Sequence, residues 1–273
     1  MPSDSNNMTF LEHLEELRWH LIRAFSFVII IAIVAFFFKD IIFDEIILAP
    51  KSPEFITNRV LCLLGQKMNI PKLCINSKLL QIISIKMAGQ FTIHITTSIF
   101  AGIIVGFPYI FWEFWRFIKP ALYEKEIKHT RGAVTISSIL FILGVLFGYF
   151  IIAPLSVHFL GSYSVSDQVI NQINLKSYIG TITSVTLAGG ITFELPILIF
   201  FLSKAGLVTP EFLKKYRRHA VILIMVLAAA ITPPDIFSLI LVTLPLILLY
   251  EAGIIISKRI QKKQKNDQVL FTG

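Results

Sequence analysis

The chain has 273 residues, 55% of them hydrophobic and only 15% charged, with a formal net charge of +8. A soluble domain carries about 25% charged residues, so apolar runs of this length exclude an ordinary soluble core and point to lipid as the solvent. An excess of Lys and Arg would suggest nucleic acid on a soluble protein; here its position along the chain matters more, because basic residues mark the cytoplasmic side of a membrane protein.

The fold class read from the sequence is an all-α integral membrane protein, a single domain of six spans over residues 1–256. Thr9–Phe10–Leu11–Glu12 forms a capping box that starts a helix. Phe10, Leu14, Leu17 and Leu21 then make one stripe, with Glu12, Glu15, Glu16 and Trp19 on another face. Span one covers about residues 19–38. Acidic residues precede it, and Lys39–Asp40 stands where a small-residue cleavage site would be expected, so it reads as an uncleaved span. From Lys39 to about Met87 a polar loop is expected, with Pro50, Pro53, Pro71, Cys62 and Cys74. Two free thiols and a disulfide closing this loop both stay open, the disulfide requiring an oxidising compartment.

Span two, residues 89–118, is ~45 Å long as a helix, with Pro108 as an expected kink. Span three, 133–160, has Pro154 near its end. Span four, 178–202, is dense in hydroxyls and small residues and carries Glu194, which suits helix contact or a wet cavity better than lipid. Spans five and six, 218–232 and 236–256, read as a hairpin of short helices turned by Pro233, Pro234 and Asp235. The basic stretch 257–273 is expected to be a disordered tail.

Of the 25 Lys and Arg, 17 fall before span one, between spans two and three, between four and five, or after span six. The short loops agree, so both termini are expected in the cytoplasm. Glu194 lies ten positions from Lys204, ~15 Å along a helix, and an intramembrane carboxylate is a functional candidate by default. A protonated Glu194 bonded to a neighbouring helix is the plainer alternative. Asp235 reads as a structural cap, and the aromatics of Phe107–Phe117 as an interfacial belt. H-E-x-x-H, G-x-S-x-G and Walker A patterns are absent, and the six His have no metal spacing. No enzyme, metal or cofactor is therefore expected.

Taken in order, several landmarks resemble one family, TatC, the core subunit of the twin-arginine protein translocase. They are His13-Leu14-Glu15-Glu16-Leu17-Arg18, Ala49-Pro50, Phe107 to Glu126 with Pro120-Ala121-Leu122-Tyr123, Phe147-Gly148-Tyr149-Phe150 with Pro154, Phe193-Glu194-Leu195-Pro196, and Thr232-Pro233-Pro234-Asp235. The resemblance implies a cup-shaped bundle in the cell inner membrane that receives folded proteins bearing twin-arginine signal peptides. It assigns Glu16 and Glu126 to the arginine pair, with Arg18, Phe117 and Leu122 bordering them. It implies single-span partners, TatA and TatB, which pack on the outer helices, self-association within the receptor complex, and a drive from the proton gradient; nucleic acid has no part. Glu194, Tyr149 and Thr232 are the intramembrane polar positions it associates with partner coupling. Two positions depart from the family pattern: Ile127 follows Glu126 where a basic residue is common, and Leu239 stands where Gln is typical. A proton-coupled transporter using Glu194 would need a midplane site, often built from inverted repeats, and no repeat is evident. An intramembrane enzyme would need a partner for Glu194 at similar depth, and the sequence offers none.

Overall fold

A computed structural model describes residues 10–70, 74–75, 80–118, 132–166, 168, 171–232 and 236–272, without the side chains of 10–13, 236–238 and 263–272. In chain order its elements are α1 (Phe10–Phe37), a π-helical turn at Ile41–Ile47, a 3-10 turn at Ala49–Lys51, α2 (Ile56–Lys67), β1 (Ile82–Ile83) and α3 (Gly89–Ile118). Then come α4 (Ala133–Phe147), a second π-helical turn at Gly148–Ile152, α5 (Ala153–Ser162), β2 (Ile173–Asn174), α6 (Leu175–Phe193) and α7 (Leu195–Lys204). The last are α8 (Pro210–Lys215), α9 (Arg217–Ile231) and α10 (Ile236–Thr272). The described residues are mostly helical, and among them a two-residue parallel pairing joins Ile82 to Ile173 and Ile83 to Asn174.

Among the described residues five stretches are long and apolar enough to cross a membrane: Leu14–Phe37, Gly89–Ile118, Ala133–Ser162, Leu175–Lys204 and Leu239–Lys262. α9 has 15 residues, ~22 Å of helix, against a hydrocarbon thickness of about 30 Å. Cα proximity divides the chain into two compact units, Met1–Lys39 with His94–Ile139, and Asp40–Ile93 with Leu140–Gly273.

In the first unit α1 meets α3 through small residues. A Cβ on Gly102 would lie 2.7 Å from the Val28 carbonyl oxygen, and one on Gly106 would lie 3.5 Å from the Val28 side chain. Gly102-x-x-x-Gly106 thus lets two apolar helices approach backbone to backbone, the geometry that van der Waals packing favours where lipid offers no hydrophobic drive. Val28 and Ala32 are buried in that contact. Nearby, His94 is stacked on Phe36, with 3.9 Å between ring centroids, and its Nε2 lies 3.0 Å from the Phe36 carbonyl.

The second unit repeats the device. Gly144-x-x-x-Gly148, at the end of α4 and the start of the π-helical turn, faces Gly189 and Gly190 of α6. A Cβ on Gly189 would lie 2.6 Å from the Gly144 oxygen, and one on Gly148 2.7 Å from the Val185 oxygen. The core around this crossing holds Ile152, Ala153, Val157, Ile182 and Val185. Further along, α7 packs on α10 with Gly253 beneath Ile199. The Ser203 hydroxyl donates to the Ser257 oxygen at 2.7 Å, and Tyr250 donates to the Leu213 carbonyl at 2.9 Å.

Prolines shape the rest of this unit. Pro154 has no N–H to give the Phe150 carbonyl four residues back. The helix widens into a π turn, where Ala153 N–H reaches Gly148 O, and the Thr57 hydroxyl donates to Phe150 O. Pro50 likewise cannot serve Ile46 or Ile47. Tyr149 donates to Ile46 O at 2.6 Å and Tyr178 to Ile47 O at 3.0 Å. Buried Asn58 holds the carbonyls of Pro50 at 3.0 Å and Ser52 at 2.7 Å.

Two expectations are corrected here. The stretch Lys39–Met87, expected as a polar loop, contains the π and 3-10 turns and the 12 residues of α2, and a disulfide joins Cys62 to Cys74. The residues from Ser257 on, expected to be disordered, continue α10 to Thr272. Lys, Arg and Gln are strong helix formers, and neither Gly nor Pro occurs between Gly253 and Gly273 to stop them.

The glycine contacts give a direct expectation. Gly189→Leu forces α6 off the Gly144–Gly148 surface and lowers the melting temperature of the detergent-solubilised protein, at about 1–3 kcal/mol for overpacking. Gly180→Leu, on the same helix but with open space at its Cβ, leaves the melting temperature unchanged or raises it. Scanning fluorimetry of the two variants side by side checks both.

Candidate functional site

Within the first unit the charged side chains gather where the N-terminal half of α1 meets the last turns of α3. Their centre is Glu113, a carboxylate only 1% exposed. Its Oε2 lies 2.5 Å from His20 Nδ1 and 3.4 Å from Arg23 Nε. Its Oε1 accepts from the Tyr109 hydroxyl at 3.0 Å and lies 3.6 Å from Arg116 Nη1. So close an approach to a carboxylate needs the proton on His20 Nδ1, which leaves no lone pair there for Arg23 Nη2 at 3.2 Å. Tyr109 and Arg116 reach Glu113 along one face of α3, at the four- and three-residue spacings that bring helical side chains together. His20 and Arg23 reach it from one face of α1 by the same spacing. Arg116 also lies over the Trp112 ring at 5.0 Å.

Glu113 was not among the sequence-predicted site residues. The aromatic run around it reads as an interfacial belt and hides the carboxylate. The recoverable pattern was an acid near a span end with a Tyr four residues before it and an Arg three after. Two guanidiniums around one carboxylate leave the cluster net positive. With no metal-holding group among the described residues, this is an electrostatic anchor between two helices.

Of the predicted site residues, Glu16 lies on α1 one turn before His20. It is half-buried, and no cation pairs with it among the described residues. Its neighbour Glu15 takes Arg18 instead, at 3.3 Å with both side chains largely exposed, a pairing worth little in water. Arg18 also lies 5.7 Å over the Trp19 ring. Phe117 is half-buried, edge-on to the His20 ring with 6.1 Å between centroids. Phe117 and Glu16 therefore both adjoin His20, while Glu126 and Leu122 lie outside the described residues.

In the second unit Glu194 is the residue at which α6 ends and α7 begins. Leu198 N–H bonds its carbonyl at 3.0 Å, and Pro196 sits in the first turn of α7. Its Oε1 is withdrawn from the surface. Tyr149 ties down Ile46, as described above. Thr232 is buried and donates to Ala228 O at 2.8 Å. Leu239 packs against the apolar core. Pro233, Pro234 and Asp235 lie outside the described residues. Arg217 and Glu251 pair at 2.6 Å across α9 and α10.

The chain is similar to known proteins over nearly its whole length. Residues 12–245 match the family model described as Sec-independent protein translocase protein (TatC). The Sec-independent protein translocase protein TatC of Blattabacterium sp. subsp. Periplaneta americana is 44% identical over 266 residues, 97% of this chain and 100% of that one. That of Desulforapulum autotrophicum is 35% identical, over 98% of this chain and 91% of its own. A crystal structure of a twin arginine translocase receptor, TatC, superposes with a TM-score of 0.67 at 31% identity, covering 92% of this chain and all of that one.

The Glu113 cluster gives the next expectation. Glu113→Leu leaves Arg23 and Arg116 without a counter-charge. The cost is roughly 1–3 kcal/mol, below the ~3–5 of a fully buried pair because both guanidiniums are partly in water. Glu113→Gln keeps a hydrogen bond from Tyr109 and loses less. Melting of both variants in one detergent ranks them wild type, Gln, Leu; a melting temperature unchanged in Glu113→Leu would deny the anchor.

Proposed function

The chain belongs to the TatC family of Sec-independent protein translocase proteins, a transport component and not an enzyme, and on that premise we propose that it is the receptor for twin-arginine signal peptides. The observation that carries the reading is Glu16. It is a half-buried carboxylate with no cation among the described residues, on the helix that gives His20 and Arg23 to the fully occupied Glu113 cluster. A guanidinium can fork onto such a carboxylate through two parallel hydrogen bonds, which an ammonium cannot imitate. Each charged hydrogen bond is worth ~1.5–3 kcal/mol. Glu126 supplies the second carboxylate, so each arginine of the pair meets one acid, with Arg18, Phe117 and Leu122 at the border. The name of the solved relative, a twin arginine translocase receptor, supports the same role.

The receptor sits in the cell inner membrane with both termini in the cytoplasm, because the short basic loops share one side. α9 is the fifth crossing of a six-span bundle, thinning the bilayer locally or shielded by protein along its ~22 Å. TatA- and TatB-like single-span proteins pack on the outer helices, further copies of the chain join it in the receptor complex, and the proton gradient drives export of folded cargo. Glu194 and Thr232 serve partner coupling. Tyr149 joins them only through the Ile46 carbonyl it holds.

Binding of a twin-arginine signal peptide to the solubilised full chain, compared with Lys–Lys and Arg–Lys peptides, tests the site. Glu16→Gln and Glu126→Gln should each weaken binding of the Arg–Arg peptide by about tenfold or more and leave the Lys–Lys peptide unaffected. Undiminished binding in the double variant removes the site. Glu194→Ala should bind the peptide normally and fail in export or partner co-purification; full export by that variant makes the carboxylate purely structural.

A further inference from the structure

The second unit holds a cavity of about 730 Å³ that the signal-peptide reading does not use. One end is built from the turn before α3 and the first turn of α6, with Ser84, Lys86, Asn174, Lys176 and Ser177 in its wall. The other end is mostly apolar, with Ile93, Leu160, Val185 and Ile231 beside the hydroxyls of Ser184 and Thr232. From Lys176 to Val185 the cavity follows α6 for roughly 13 Å, most of one ~15 Å leaflet of hydrocarbon. Gly180 lies midway with open space at its Cβ, so the wall is bare where a chain would lie.

The charges are one-sided. Neither Asp nor Glu lines the cavity. Lys86 and Lys176 are exposed, and neither has a carboxylate partner among the described residues. Lys86 is flanked by Ile85 and Met87, 72% and 104% exposed, apolar side chains that suit immersion beside a lysine whose head reaches the headgroup layer. The first turn of α6 adds outward-facing N–H groups, one of them already met by the Asn174 side chain. Beside it opens a hollow of about 390 Å³, where Asn171, Gln172 and Asn174 stand among apolar residues such as Val157, Leu160 and Ile173 and offer amides to a glycerol headgroup.

We infer that this cavity is a binding site for an anionic phospholipid, one acyl chain lying along α6 past Gly180 and the phosphate held between Lys86 and Lys176. A polypeptide segment would need its backbone groups met along the mostly apolar end, where Ile93, Leu160, Val185 and Ile231 offer no partner and the Thr181 and Thr232 hydroxyls already donate to Ser177 O and Ala228 O, which leaves Ser184 alone to serve a whole segment. A free anion would leave that end empty. The inference is independent of Glu16 and of the signal peptide.

Native mass spectrometry of the full chain tests it, with the protein exchanged into equimolar dioleoyl phosphatidylglycerol and dioleoyl phosphatidylcholine. Wild type should retain phosphatidylglycerol in preference. Lys86→Gln with Lys176→Gln should reduce that preference about tenfold while leaving the melting temperature unchanged. Gly180→Leu, which blocks the middle of the cavity where the acyl chain would pass, should reduce retention of both lipids. An unchanged preference in the lysine variant, or unchanged retention in Gly180→Leu, overturns the site. Displacement of the lipid by millimolar inorganic phosphate, or by a signal peptide, assigns the cavity to that occupant instead.

Discussion

A backbone carbonyl in hydrocarbon has no water to bond, so each must find a donor within the chain. Every proline in an apolar helix removes one such donor. The second unit is organised around meeting that shortage. The Phe150 oxygen orphaned by Pro154 takes Thr57, and the Ile46 and Ile47 oxygens beyond the reach of Pro50 take Tyr149 and Tyr178. These donors sit on α2, the π-helical turn and α6, so repairing three carbonyls also fixes three elements against one another. The segment before α2 is ordered because its carbonyls are spoken for, down to the two held by Asn58.

Glycine supplies the other half of the architecture. Apolar side chains gain nothing by leaving lipid for one another, so helices associate where backbones can touch. Gly102-x-x-x-Gly106 does this for α1 and α3, and Gly144-x-x-x-Gly148 with Gly189 for α4 and α6. The π turn begins at Gly148 itself, where the wider coil follows the tightest contact.

The long apolar helices could be read from the sequence because apolar length is a one-dimensional property. Gly89–Ile118 and Ala133–Ser162 differ from their expected bounds by at most two residues. α2 escaped because Ile56–Lys67 is amphipathic, short and flanked by prolines, so its apolar fraction looks like a loop. The end of α10 escaped because charge argues for solvation and is silent about helicity. At the candidate site, Glu16 stands out as a proposal from an ordered motif, whereas Glu113 needed three dimensions. Two of its partners lie on its own helix, but His20 and Arg23 are about ninety residues away in sequence. The pairing of Cys62 with Cys74 was equally beyond a pattern that allowed free thiols.

The polar groups of the chain sort by whether the chain itself completes them. Glu113 is closed: its two oxygens meet a histidine, a tyrosine and two arginines, and an incoming charge would have to break a buried pair. Ser203, Tyr250 and Thr232 are closed in the same way by partners a few ångströms off. Glu16, Lys86 and Lys176 are open among the described residues, and they are open with opposite signs. A half-buried anion left without a counter-charge is retained at a cost unless a cation arrives, whereas the two exposed lysines carry no such cost and offer an anion attraction only. Desolvating the walls of each site makes the missing charge worth more than it would be in water. Glu16 thus calls for a cation to complete it, and the lysine pair for an anion whose apolar part the cavity beside it can take.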